Sequence, residues 1–443
     1  MPKHCRQCFF GFIFLFFYRW FQHRCNIDLV TTFIFALAKI AFIYLIYKFL
    51  LQYLQQKKHS DLFRKSILAH LKEFVKTVPE YRRTSKGNLH YKLEDILMLE
   101  IMARLSKCIS RADIIKFGEL HLKRFQAHGM FFKGLPSEST LCRISQGIKH
   151  ESMANMASAF ASVFYKETID DTVDIICIDG KAMKGTVYEN GRNPDIVSAF
   201  STKAAFTIAT DICQKKSNEI TAAPRLLDKI DVSGNIITAD AMYFQKAIIN
   251  KIRQKGGDYV IELKANQKSL RYGIEDSIKM ASPLDSYKEG PVLEHGRIET
   301  RTCKIYTGKE HIKDRNKWNE DFTIIEILTS TEKKSDNSFA SEQRLYLSNM
   351  TGSAELFNKI TKQHWSIESM HWCLDRNLQQ DRIKRKTEQA ARNLDTIQRI
   401  VLTIIAAWKN RRKKVADKQK GVAKILRELS MNFTKMLHFL NQK

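Results

Sequence analysis

The amino-acid sequence predicts an α/β chain, a mixed β-sheet layered with helices and preceded by an all-helical region. Three observations carry that expectation. From about Asp61 to Glu167 the pattern is helical, with Leu93, Leu97, Ile101 and Leu105 recurring on one face beside Ile96 and no strand-like run between. At Val173 the texture changes to a β-branched run that stops at Asp179-Gly180, as a buried strand ending in a turn does. Beyond it, short apolar runs alternate with helical stretches, the pattern of a three-layer α/β domain.

The helical region, 59–170, also carries Gly134-Leu135-Pro136-Ser137-Glu138-Ser139-Thr140, turn residues with an N-cap ahead of a helix read to start at Leu141. Two readings stand for it, a helix seated on DNA and an ordinary helix–helix connection. In the central region, 171–385, strands are expected at Val173–Gly180, Asp195–Ala205, Ala205–Cys213, Gly234–Asp240 and Tyr259–Leu263, with helices at Ser217–Ile230 and Met242–Lys255. The stretch of about 265–350 reads as an inserted β-rich subdomain with a helix near Leu270–Met280 and strands at Thr300–Tyr306, Phe322–Leu328 and Arg344–Leu347. Residues 386–443 read as a basic helical tail, with a dense Lys and Arg run from Trp408 to Lys424 that is either a solvated face or a phosphate contact.

A chain of 443 residues, 44% hydrophobic, can bury more than one core. Lys and Arg number 73 against 47 Asp and Glu, a formal net charge of +26, which favours a polyanionic partner, nucleic acid before anionic lipid. The nine cysteines are scattered and odd in number, which argues against a disulfide scaffold and fits a reducing compartment; a cytoplasmic, nucleoid-associated location is expected. Cys5 and Cys8 form a CxxC with His23 and Cys25 behind it, but the apolar surroundings argue against zinc. Residues 1–58 form an apolar leader. Leu29–Leu51 is long enough to span a bilayer, although Lys39 near its middle makes insertion costly. A retained anchor and a translation start further downstream both stand as readings of it.

Two strands each deliver an aspartate at the carboxyl end, Asp179 and Asp240, where ligands gather on an α/β sheet. Taken singly, each has a plain structural explanation, a turn for Asp-Gly and a cap for an Asp ahead of a helix. A third acid sits in a helix. At about 100° per residue, Leu356, Ile360, Ile367, Met370, Leu374 and Leu378 fall on one stripe that packs on the sheet, while His364, Glu368, His371, Asp375 and Arg382 share the adjacent one. Trp365 and Trp372 flank it and are expected to pack in the core. Three carboxylates suit phosphodiester chemistry, in which divalent ions activate a hydroxyl and steady the leaving oxygen. Glu368 and His371 also make the ExxH of di-iron bundles, but those proteins need the motif twice and the sequence has it once.

Further runs include Ile178-Asp179-Gly180-Lys181, Val197-Ser198-Ala199-Phe200, Lys216-Ser217-Asn218-Glu219-Ile220, Thr238-Ala239-Asp240-Ala241 and Gly256-Gly257-Asp258-Tyr259-Val260. Lys264-Ala265-Asn266-Gln267, His295-Gly296-Arg297-Ile298-Glu299-Thr300-Arg301 and His364-Trp365-Ser366-Ile367-Glu368, with His371-Trp372-Cys373-Leu374-Asp375, complete the set. In these, from about Tyr91 to Asn393, the sequence resembles the insertion-sequence transposases of the ISAs type, or H-repeat-associated proteins, of the DDE superfamily. The resemblance implies an RNase H-like fold and a metal-binding catalytic triad of Asp179, Asp240 and Glu368. It implies Mg²⁺ as cofactor, with Mn²⁺ as a substitute, and strand cleavage and transfer on double-stranded DNA at element ends and target. Because two DNA ends must be held together, a homo-oligomer on DNA is expected. Lys181, Lys184, Lys264, Arg297, Lys362, His364 and Arg382 are the candidate DNA-contacting residues, and Asn266 and His295 either bond a nucleotide or fix the insertion to the core. Lys362, Ser369 and Gln380 depart from the family pattern, which favours Arg, Asn and an acid there. Gln380 is expected to remove a negative charge next to the site. A catalytically decayed DNA-binding protein is the competing reading.

Overall fold

A computed structural model describes residues 65–442 apart from 85–88, 170–171, 188–190, 214–218, 295, 313–320 and 336–337, together with Tyr44 and Lys48. The chain separates into two units, Met1–Arg64 and Lys65–Lys443. The apolar leader with its anchor reading, the group Cys5, Cys8, His23 and Cys25, and His295 lie outside the described residues. Among the described residues no helix is long and apolar enough to cross a membrane.

The second unit opens with helices α1 (Ile67–Val75), α2 (Leu93–Leu105), α3 (Arg111–Ala127), α4 (Glu138–Gly147) and α5 (His150–Ile169). Their starts follow from capping chemistry. Ser66 accepts from the Ala69 amide, Ser110 and Asp113 form a reciprocal capping box, and Ser137 accepts from the Thr140 amide. The Ser137 cap starts α4 at Glu138, about one turn ahead of the expected Leu141. Nearly all of α2 is buried, including Arg104, whose guanidinium donates to the carbonyls of Cys108 and Ile109 at 2.8 and 2.6 Å.

Strands β1 (Ile175–Ala182), β2 (Asp195–Ser201), β3 (Phe206–Ile212), β4 (Ile236–Ala239) and β5 (Asp258–Leu263) stand in the order 3-2-1-4-5, β1, β4 and β5 parallel and the β1–β2–β3 meander antiparallel. That is the RNase H-like arrangement. The parallel strands are buried, hence their unbroken Ile, Val and Cys runs. Helices α6 (Glu219–Asp228), α7 (Lys246–Gln254) and α8 (Lys268–Ile278) connect and follow them, with a 3₁₀ turn at Ala241–Tyr243 where a helix was expected to have begun.

Strands β6 (Asp285–Glu294), β7 (Arg297–Thr307), β8 (Thr323–Lys333) and β9 (Phe339–Ser348) do not make a sheet of their own. β9 pairs antiparallel with β5, so the stretch expected as an inserted subdomain extends the same nine-stranded sheet. β6 carries no strand signal in the sequence, being polar and broken by Gly290-Pro291. Proline is tolerated there because β6 is the sheet edge and bulges between Glu289 and Val292.

Two helices, α9 (Ala354–Gln363) and α10 (Trp365–Arg376), follow, and then α11 (Glu388–Asn410). α11 lies where a tail was expected, yet it is buried for most of its length and packs against α5, α4, α2 and β3. Its polar residues explain the misreading, since they are satisfied inside the protein. Asp395 and Arg399 pair at 2.7 Å, both nearly inaccessible, and Arg399 also donates to Thr207 on β3 at 3.0 Å. The basic run beyond it is engaged in part: Arg411 pairs with Glu167 at 2.6 Å and Arg412 with Asp417 at 3.2 Å, whereas Lys413, Lys414, Lys418 and Lys424 are exposed. Helices α12 (Val422–Met431) and α13 (Phe433–Asn441) end the described chain.

His150, at the start of α5, gives a pH prediction. Burial, reinforced by the nearby Arg392 charge, lowers its pKa to about 4. The unfolded chain, with an ordinary imidazole near 6.5, binds the proton that the folded chain refuses, so stability is lost as pH falls from about 6.5 to 4 and levels off below. The loss is at most about 3 kcal/mol. Urea unfolding of wild type and His150→Gln across this window should give converging curves at high pH and a shallower acid loss in the variant; identical slopes would remove His150 as the cause.

Candidate active site

The ladder between the parallel strands β1 and β4 pairs Ile178 with Ala239. The next residues, Asp179 and Asp240, therefore stand at the same level, Asp240 where β4 gives way to the 3₁₀ turn and Asp179 inside β1, which pairs with β2 as far as Ala182 and so runs past the turn expected at Asp179-Gly180. Helix α10 packs across β1 and carries Glu368 in its first turn. The Asp179 carboxylate accepts from the Gly180 amide at 2.8 Å and stands 3.5 Å from Nδ1 of His371. Asp240 stands 3.8 Å from Nε2 of His364 and 3.9 Å from Nζ of Lys264. Thr238 on β4 engages the other ring nitrogen of His364 at 3.0 Å, and Glu262 holds Lys264 at 2.8 Å.

The electrostatics separate the three acids. Burial, with the Asp240 charge adding to it, pushes the Asp179 carboxyl up to about 7. Asp240 is held below the ordinary carboxylate range by His364, with Lys264 assisting. Partial burial raises Glu368, which also feels the charges of His364 and Asp240. Against its own burial, His364 is raised to about 10 by Asp240 and Cys177. Neighbouring carboxylates forced apart in this way are the signature of a site built for a cation or for acid–base work. The donors are hard oxygens on three separate elements, the chemistry that Mg²⁺ or Mn²⁺ requires. Among the described residues no three acidic, histidine or cysteine side chains are drawn together closely enough to hold an ion as they stand. The fit therefore rests on donor type and on the repulsion between Asp179 and Asp240 that a cation would relieve.

Several expectations are corrected. Lys181, read as a phosphate contact, is only 8% exposed and spends its ammonium on Asp375 and Asp381, at 2.8 and 3.6 Å. Asn266 donates to the Ala241 carbonyl at 2.7 Å, fastening the turn after Asp240. Gln380 is buried, and its amide donates to Asp395 and Gln398 at 2.9 and 3.0 Å, so it faces the core beneath α11. Arg382 leaves the Glu368 stripe because the chain turns at Gln379, φ 51°, after α10 has ended. Leu356 is 38% exposed, the helix breaks at His364, and Trp365 and Trp372 lie outside the core at 42% and 58% exposed, with the Arg344 guanidinium 4.9 Å over the Trp365 ring. Lys362 pairs with Glu289 at 2.7 Å, and Ser369 donates to the Trp365 carbonyl at 3.1 Å. Lys184, Arg297, Lys362 and Arg382 are exposed. Arg297 and Lys362 line a groove of about 420 Å³ with Arg301, Arg344 and Trp365.

Glu219, in the Lys216–Ile220 run, has a structural role that the sequence does not signal. Its carboxylate accepts from the buried Tyr243 hydroxyl at 2.7 Å and lies against Gly180, where a Cβ would come within 2.1 Å of it. Gly180→Ala should displace Glu219, orphan Tyr243 and cost about 1 to 3 kcal/mol. Denaturant unfolding checks this, and truncating Glu219 in the Gly180→Ala background should add little further loss if the clash is the cause.

A 3-2-1-4-5 sheet with aspartates at one level on its adjacent parallel strands β1 and β4 defines an RNase H-like protein. The model of the transposase DDE domain matches residues 172–404, and that of a DDE_Tnp_1-associated region matches residues 72–161. The chain is 32% identical over 352 residues, 76% of its length and 90% of the relative's, to the H repeat-associated putative transposase YhhI of Escherichia coli K12. It is 37% identical over 245 residues, 53% of its length and 92% of the relative's, to the H repeat-associated putative transposase YbfD of the same strain. A piggyBac transposase synaptic complex with hairpin DNA, solved by cryo-EM, aligns at TM-score 0.42 and 11% identity over 84% of this chain and 78% of that one. The chain belongs to the DDE transposase family, among the H-repeat-associated proteins of insertion sequences.

Proposed function

We propose that the protein cleaves and rejoins DNA strands at the ends of an insertion sequence, with Asp179, Asp240 and Glu368 as the catalytic, metal-holding acids. The observation that supports this reading is the Ile178–Ala239 register, which brings two aspartates side by side, one inside β1 and one at the end of β4, beneath the Glu368 helix. When bound, Mg²⁺ or Mn²⁺ would activate the attacking hydroxyl and steady the leaving oxygen. The chain's own residues prepare the site. His364, held by Thr238, and Lys264, held by Glu262, keep Asp240 ionised, and the buried face of α10 excludes water behind Asp179.

Double-stranded DNA is the partner this chemistry requires. The net charge of +26 favours it, and Lys184, Lys264, Arg297, Lys362 and Arg382 are the exposed cations nearest in role to phosphate contacts. A homo-oligomer follows from the need to hold two element ends together. The test is cleavage of labelled DNA carrying the element's own ends by the full chain, with Mg²⁺ or Mn²⁺, beside Asp240→Ala. Metal-dependent nicking that disappears in the variant supports the assignment. DNA binding without nicking, unchanged by the substitution, identifies a binding protein that has lost catalysis.

A further inference from the structure

On β1, alternation places Cys177, Asp179 and Lys181 on one face, the face that α10 covers. The structure ties that face to the helical layer at three heights: Cys177 Sγ donates to the Gln363 carbonyl at 3.5 Å, Asp179 meets His371 at 3.5 Å, and Lys181 meets Asp375. The last rung is the strongest, with Nζ of Lys181 at 2.8 and 2.9 Å from the two Asp375 oxygens. The spacings agree. Two strand residues, Asp179 to Lys181, advance about 6.6 Å, and four helical residues, His371 to Asp375, advance about 6 Å. A slip of α10 by one residue would turn its stripe by about 100° and break both rungs. Glu368 lies on the same stripe as His371 and Asp375, so whatever registers that stripe also places its carboxylate.

We propose that Lys181 is a positioning residue: clamped between Asp375 and Asp381, it sets the height and rotation of the Glu368 helix over β1 and so the placement of Glu368 relative to Asp179. Asp381 belongs to the turn after α10, so the same ammonium also anchors the chain where it leaves the helix. The inference rests on the triad reading of the site. It differs from a phosphate contact because the ammonium is buried and already spent on two carboxylates.

The test uses the full chain as wild type, Lys181→Met, Lys181→Arg, the double variant Lys181→Met/Asp375→Asn, and Asp240→Ala. Mn²⁺ affinity is read by electron paramagnetic resonance, thermal unfolding by circular dichroism, and nicking as kcat and KM for DNA. Lys181→Met leaves the half-buried Asp375 without its cation and lowers the unfolding midpoint; the double variant removes that charge and recovers the midpoint. The double variant should nonetheless bind Mn²⁺ about tenfold more weakly, the usual consequence of loosening a supporting contact, and lower kcat with KM for DNA unchanged. Lys181→Arg, which keeps the charge, should recover part of the Mn²⁺ affinity. A double variant that binds Mn²⁺ as wild type does overturns the proposal, and a raised KM with unchanged Mn²⁺ affinity replaces it with a DNA contact. Equal Mn²⁺ binding by wild type and Asp240→Ala removes the triad reading and this inference together, whereas Mn²⁺ binding without nicking removes only the proposed activity and leaves the Lys181 arm readable.

Discussion

Asp179→Asn and Glu368→Gln, which keep side-chain volume and remove charge, should each cut metal-dependent nicking by about a thousandfold or more, about 4 kcal/mol of transition-state stabilisation. The measurement is single-turnover cleavage at saturating DNA, where binding differences drop out. Asp179 should have the additional signature of a proton-linked ligand. Its carboxyl, pushed up to about 7 by burial and the Asp240 charge, must lose its proton before it can hold a cation. Affinity for Mn²⁺ should therefore fall as pH drops below about 7, by about tenfold per unit, and be flat above. A titration flat from acid to neutral pH would show that Asp179 is no ligand. In Asp179→Asn that proton linkage should vanish along with most of the affinity.

The second large effect is on stability and lies far from the chemistry in sequence. Asp395→Ala should destabilise the fold by about 3 to 5 kcal/mol, because it leaves the Arg399 guanidinium buried without its carboxylate. The same substitution takes an acceptor from Gln380, and Gln380 belongs to the turn that Lys181 grips through Asp381. Against a total stability of about 5 to 15 kcal/mol for a domain, such a loss would show as a shift in the urea midpoint and in expression. Removing both partners, as Asp395→Ala/Arg399→Leu, should restore much of it, since two apolar side chains carry no unpaired charge. If the single variant unfolds at the wild-type midpoint, the buried pair contributes nothing to stability and α11 is held by its apolar face alone.

Much of the sheet was legible in the residues. Parallel strands buried on both faces need β-branched and apolar runs, and the runs before Asp179 and Asp240 mark β1 and β4 for that reason, although pairing with β2 carries β1 past Asp179 to Ala182. The edge strand β6 was not legible, since one solvent-facing side and a bulge let it carry Lys, Glu, Gly and Pro. Helix α11 is not legible as part of the core because Arg392, Asp395, Gln398 and Arg399 look like a solvated face until their partners on other elements are known. Trp365 and Trp372 failed in the opposite direction, large apolar rings left at the surface beside the candidate site, one of them under Arg344.

By itself the sequence determined the α/β class, the two strands that carry the aspartates, the helical phase of Glu368, His371 and Asp375, and the family. Those depend on local propensity and periodicity, which record the face a residue turns inward and not what it meets there. Only the tertiary structure decided that Ile178 pairs with Ala239, that Lys181 is buried between Asp375 and Asp381, and that Gln380 turns to Asp395. A lysine two residues after a candidate-site aspartate reads the same whether it reaches for a phosphate or is clamped inside. The difference is a pairing across 194 residues of chain, and no local signal encodes it.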